Sequence, residues 1–196
     1  MSIYTLGLLS LEQNDCETAI SWLTEAIRQD AGDFDAFHNR GIAYFRLASY
    51  SDAIADFTEA IRLHPEAADS FYCRGEAFAG MNEKDGAIAD FTEAIRLNPW
   101  LTAAYSSRAI EYSEKGNYAQ AIADFTAAIR QDPRDPEHFW NRSITYKRMS
   151  EEQLAKADYL ETMRFDARYF EIRWATCDNH YSKRLDRLPI RGYREN

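Results

Sequence analysis

The chain has 196 residues, 45% of them apolar, and a formal net charge of −9. That length suits one extended domain with a short cap, with enough apolar content for a real core and no segment long and apolar enough to cross a membrane. Residues 168–196 hold seven Lys and Arg against four Asp and Glu, which makes this tail +3 and the remaining 167 residues −12, and an acidic body disfavours nucleic acid, whose phosphates need basic grooves.

Residues 1–13 read as a first helix that is apolar nearly all round, through Ile3, Tyr4, Leu6, Leu8, Leu9 and Leu11. Nothing basic precedes these residues, so no signal peptide is expected. Further helices are expected near 16–28, 34–47, 50–63, 68–81, 84–97, 102–115, 118–131, 136–149 and 152–165. Asp15, Ser49, Asn117 and Ser150 stand where second helices begin and are expected to cap free N–H groups. Asn117 and Gln120 have capping-box spacing, and Pro136 suits a first helical position. Beyond residue 167, Phe170, Trp174, Cys177, Tyr181, Leu185 and Leu188 step by four, three, four, four and three, which predicts an amphipathic capping helix over 168–188. Pro189 ends it, and 189–196 are expected as a basic tail.

These elements come from one repeated unit. Residues 87–99 occur almost unchanged as 53–65 and again as 121–133, both at an offset of 34, and weaker copies run over 19–31 and 155–167. Position 1 of a period is set at Phe34, Ala68, Thr102 and Pro136. Position 4 is then Phe37, Phe71, Tyr105 and Phe139, position 8 is Gly7, Gly41, Gly75, Ala109 and Ser143, and position 11 is Tyr44, Phe78, Tyr112 and Tyr146. Position 20 is alanine in all five copies, position 24 is Leu23, Phe57, Phe91, Phe125 and Tyr159, and position 27 is Ala26, Ala60, Ala94, Ala128 and Thr162. Positions 4, 8 and 11 share one face of a helix, and 20, 24 and 27 share a face of the next. Small residues let the two helices approach while aromatic ones fill the gaps between them. Pro65, Pro99 and Pro133 at position 32 cannot continue the second helix, for want of an N–H. Each unit is a helical hairpin too small to bury its apolar face alone, so the expected fold is all-α, a solenoid of antiparallel hairpins over residues 1–167.

The period and the large–small pattern resemble the tetratricopeptide repeat family, with a match that covers residues 1 to about 167. The resemblance implies a right-handed superhelix whose first helices line a concave groove, with positions 2, 5, 6, 9, 12 and 13 facing it. On that implication the candidate peptide-binding residues are Tyr4, His38, Asn39, Ile42, Phe45, Tyr72, Glu76, Ile110, Trp140, Asn141 and Ile144. Aromatic and aliphatic side chains left exposed along a groove suit a peptide, and Asn39 and Asn141 offer amide donors and acceptors to its backbone. One branch of the family holds the C-terminal carboxylate of heat-shock chaperones with Lys, Asn and Arg at set positions. Here those positions read His38, Ile42, Cys73, Ala103 and Ser107, so that role is rejected.

One pairing is readable from the repeats themselves. Position 7 is Arg40, Arg74, Arg108 and Arg142, but Leu6 in the first repeat; position 23 is Asp56, Asp90, Asp124 and Asp158, but Trp22 in the first repeat. The two positions change together, which predicts an Arg–Asp contact within each of repeats two to five, structural rather than catalytic.

No enzyme is expected. His38, His64, His138 and His180 have no ligand spacing with Cys or Glu, and neither a phosphate loop nor a nucleophile elbow occurs, so no metal and no cofactor is expected. Cys16, Cys73 and Cys177 are odd in number and far apart, which fits reduced thiols and a cytoplasmic location. The expected function is a non-enzymatic protein–protein interaction module, soluble, that binds a peptide segment of a partner in its groove. The alternative is a structural protein that acts as a homo-oligomer through its helix ends. Binding of the basic tail against the acidic groove in cis is a third reading.

Overall fold

A computed structural model of the protein describes residues 1–165, and among them ten helices form and no strand. In chain order these are α1 (Ile3–Glu12), α2 (Cys16–Gln29), α3 (Phe34–Arg46), α4 (Tyr50–Leu63) and α5 (Ala68–Gly80), followed by α6 (Lys84–Leu97), α7 (Thr102–Glu114), α8 (Tyr118–Gln131), α9 (Pro136–Arg148) and α10 (Glu152–Phe165). The expected capping helix at 168–188 and the tail at 189–196 lie outside the described residues. The chain divides inside α6 into two compact units, one running from Met1 to Asp90 and the other beginning at Phe91. In the first, α1 packs on α2, α2 on α3, α3 on α4 and α4 on α5; in the second, α7 packs on α8, α8 on α9 and α9 on α10. Sequential helical pairing of this kind is that of an α-solenoid.

Large residues meet small ones where the period places them. Leu23, Phe57, Phe91 and Phe125 are at most 1% exposed, and Ala19, Ala53, Ala87 and Ala121 are fully buried. A Cβ on Gly7 would lie 2.7 Å from Leu23 Cγ, and one on Gly41 would lie 2.7 Å from Phe57 Cε1. A side chain at either site would require Leu23 or Phe57 to shift.

Each first helix ends the same way. Asn14, Ala48, Asn82, Gly116 and Ser150, all at position 15, have φ between 57° and 79°. The next residue then donates its N–H back into the last turn, as in Ser49 N to Tyr44 O at 2.9 Å and Asn117 N to Tyr112 O at 2.8 Å, which satisfies a carbonyl left over by the helix. The expected caps are corrected in part by this geometry. Asp15 accepts from Thr18 N at 3.1 Å, but Ser49 and Asn117 make no side-chain cap bond, and Ser150 is taken up as the left-handed residue. Asp33 and Asp135, not anticipated, cap α3 and α9, and Pro136 begins α9 as expected. Only Gly116 is suited to position 15 by its lack of a Cβ. Ala48→Gly is accordingly expected to stabilise the chain by about 0.5–1 kcal/mol, since relief of left-handed strain exceeds the added chain entropy. A rise in the denaturant midpoint checks it.

The predicted Arg–Asp contacts form in all four repeats, with more around them than expected. Arg40 Nε and Nη2 donate to both oxygens of Asp56 at 2.8 and 2.7 Å, and the same fork joins Arg74 to Asp90, Arg108 to Asp124 and Arg142 to Asp158. The remaining nitrogen, Nη1, donates to a threonine of the preceding repeat: Thr24 at 3.0 Å, Thr58 at 3.1 Å, Thr92 at 2.9 Å and Thr126 at 2.8 Å. Aromatic rings at positions 4 and 11 pack on the guanidinium, Phe37 and Tyr44 at 5.6 and 5.9 Å from the Arg40 carbon. Hydrogen bonds from Arg40 to Asp56 hold the guanidinium even more firmly protonated, while burial pushes the Asp56 carboxyl above its ordinary range. The pair thus carries a desolvation cost, and its role is to fix how each hairpin closes and meets the one before. Glu59–Arg62 and Glu93–Arg96, by contrast, are exposed helix-surface pairs, as expected.

Candidate binding surface

In the first unit the first-helix face is largely closed. His38, Asn39, Ile42, Phe45, Tyr72 and Glu76 are all 2% exposed or less, which corrects the expectation of exposed side chains there. Neighbouring repeats account for part of this. His38 Nδ1 lies 2.8 Å from Ser70 Oγ, and the His38 ring packs between those of Phe34 and Phe57. Asn39 Nδ2 donates to the Tyr4 hydroxyl at 2.9 Å, so this donor already serves the protein. Phe45 meets the Tyr50 ring edge-on, with centroids 5.4 Å apart. Arg46 Nη1 donates to Leu11 O at 2.7 Å.

The second unit differs. Ile110 and Ile144, at position 9 of α7 and α9, remain partly exposed. With Ser113, Glu114, Phe125, Asn141, Thr145 and Arg148 they line a pocket of about 80 Å³. Its polar wall is braced across the two repeats: Ser113 Oγ and Thr145 Oγ1 are 3.1 Å apart, and Arg148 Nη1 donates to Ser113 O at 3.3 Å and to Ser113 Oγ at 3.1 Å. The site combines apolar walls from two isoleucines and a phenylalanine with an amide and two rim charges of opposite sign.

Of the eleven candidate residues the pocket brings together Ile110, Asn141 and Ile144. Trp140 is not in its lining; its ring lies 6.4 Å from that of Tyr159. Phe125 and Thr145 were not anticipated. Phe125 stands at a packing position, and Thr145 stands at position 10, which reads Ala43, Ala77 and Glu111 in the three preceding repeats.

Among the described residues no group of three or more His, Cys, Asp or Glu side chains is placed to hold a metal ion. Cys16 and Cys73 are buried free thiols, and burial pushes the Cys16 thiol above its ordinary range. Nor, among those residues, is any helix long and apolar enough to cross a membrane.

The sequence matches the family described as tetratricopeptide repeat over residues 38–99 and 107–146, together more than half of the chain. No curated protein matches it in sequence. Among solved structures, a MamA fragment from Desulfovibrio magneticus RS-1 is similar at a TM-score of 0.80 and 18% identity, over 85% of this chain and 94% of that one. Another MamA structure is similar at 0.78 and 20% identity, over 86% and 92% of the two chains. YrrB, described as a TPR protein with an unusual peptide-binding site, is similar at 0.75 and 22% identity, over 89% and 90%. Likeness at these identities concerns the fold.

Proposed function

The chain belongs to the tetratricopeptide repeat family, and from that premise we propose that it is a non-enzymatic interaction module that binds a peptide segment of a partner protein on the α7–α9 face. The pocket between Ile110 and Ile144 is the observation that carries this reading. Two of its walls are aliphatic, and Asn141, Glu114 and Arg148 stand beside them in its lining. The description of YrrB as having a peptide-binding site lends the reading a precedent on a similar fold. The reading moves the weight of the site from the closed face of the first unit to the second. A cytoplasmic location and the absence of catalysis belong to the same proposal.

Selection from a displayed peptide library tests it. Peptides retained by the wild type are expected to share an aliphatic residue, and Ile144→Asp is expected to weaken their binding at least about tenfold, since a carboxylate in an apolar pocket costs more than about 1.4 kcal/mol. The same peptides should bind unchanged to a variant altered at Trp100, which is 79% exposed and outside the pocket. Equal binding by wild type and Ile144→Asp rejects the site.

A further inference from the structure

We infer that the first-helix face of α3 and α5 is an interaction surface whose resident occupant is the chain's own basic segment, residues 189–196. The inference is independent of the α7–α9 site and rests on the burial and the charge of this face.

Positions 5, 6, 9 and 12 lie outside the hairpin-packing set of 4, 8 and 11, yet in the first unit they are closed. Contacts between and within repeats reach His38, Asn39 and Phe45. On α5, Tyr72, Cys73 and Glu76 are closed to the same degree, at 2% exposure or less. At position 9 of the second unit, Ile110 and Ile144 keep part of their surface. A cover over the one face and not the other gives this difference.

Charge says what kind of cover it is. α3 and α5 carry six charged residues, Asp35, Arg40, Arg46, Asp69, Arg74 and Glu76. Arg40 and Arg74 are forked on Asp56 and Asp90, and Arg46 gives Nη1 to Leu11 O. Three carboxylates are then set against one arginine on these two helices, and Glu76 among them is fully buried. A carboxylate so placed favours a cation beside it. The occupant that suits this face is a short extended segment with arginines set among apolar side chains.

Residues 189–196 read Pro-Ile-Arg-Gly-Tyr-Arg-Glu-Asn. Pro189 and Gly192 disfavour a helix, Arg191 and Arg194 supply the cations, and Ile190 and Tyr193 supply the apolar surface. A segment joined to the chain it binds acts at an effective concentration of about millimolar, so few contacts hold it. An arginine-bearing segment of another protein would have to displace it from this face.

Cys73, a buried free thiol between Tyr72 and Glu76 on α5, gives the test in the full chain. Its alkylation by N-ethylmaleimide is read by mass beside that of Cys16 on α2. Arg191→Glu/Arg194→Glu is expected to speed the labelling of Cys73 at least about tenfold and to leave Cys16 as in the wild type. Asp35→Arg/Asp69→Arg should speed it as well, and the four changes together should restore protection. The δ1 methyl of Ile42, at position 9 of α3, should shift in the Arg191→Glu/Arg194→Glu variant. Unchanged labelling of Cys73 with an unmoved Ile42 methyl would overturn the inference. So would protection of Cys73 that deepens as the chain is concentrated, which assigns the cover to a second copy. Acceleration of Cys16 in step with Cys73 would overturn it too, since residues 189–196 would then brace the whole fold rather than cover one face.

Discussion

Replacing Asp56 with alanine is expected to destabilise the folded chain by about 3–5 kcal/mol, because Arg40 would be left buried and charged without its carboxylate. The Arg40 and Asp56 side chains are only 16% and 7% exposed, and the fork between them uses both carboxylate oxygens. Arg40→Leu alone should also be costly, since it strands Asp56 and removes the donor to Thr24. The double variant Arg40→Leu/Asp56→Leu should cost less than the sum of the two by about 2 kcal/mol or more. The first repeat already carries an apolar alternative, with Leu6 and Trp22 at the same two positions. Denaturant midpoints of Arg40→Leu, Asp56→Leu and the double variant form the cycle. Strict additivity would mean that the two groups act separately, and would remove the clamp from this account.

Phe125→Ala is the second change with a large expected effect. Phe125 is 1% exposed and forms a core with Ala109 and Ala121, against which Ile110 and Tyr112 pack. Truncation leaves a cavity that the flanking alanines cannot fill, at a cost of about 3–5 kcal/mol. Because Phe125 also lines the pocket, the loss should reach function. Any peptide selected on the wild type should bind more weakly to this variant even at temperatures where it stays folded. Phe57→Ala, at the same position of the second repeat, should cost a similar amount of stability without touching that pocket. Thermal denaturation and peptide affinity, measured side by side on the two variants, separate the two effects.

Much of this architecture is legible in the order of the residues. A period of 34 with alanine at position 20 and an aromatic at position 24 places nine of the ten helices within a residue or so at each end. The Arg–Asp clamp is legible too, because both partners change together in the first repeat. Its threonine partner is present as a column, Thr24, Thr58, Thr92 and Thr126, but a column that does not vary with its partner within the middle repeats names no contact. The left-handed residue at position 15 is hidden for a different reason. Asn14, Asn82 and Gly116 suit it, while Ala48 and Ser150 do not advertise it, and the helix-ending geometry overrides their preference.

The candidate site is less legible than the fold. Helix-face arithmetic says which way a side chain leaves its helix, and not how far a neighbouring repeat covers it. Position 5 makes the point. His38 is covered by a bond to Ser70 at position 3 of the next repeat, and Ser106 meets His138 in the same way with the two residue types exchanged, at 2.9 Å. Position 9 shows the opposite outcome within one chain, since Ile42 is fully buried while Ile110 and Ile144 keep part of their surface. Identical residue types at identical positions differ because their neighbours differ, and a single repeat does not contain that information.

The central claim is that the α7–α9 face receives a peptide. Isoleucine methyl spectra of the protein, recorded while a selected peptide is added, test it most directly. The account predicts that the δ1 methyls of Ile110 and Ile144 shift in step with saturation, while those of Ile27 and Ile61, on α2 and α4, stay in place. Shifts confined to other methyls, with Ile110 and Ile144 unmoved at saturation, would contradict it.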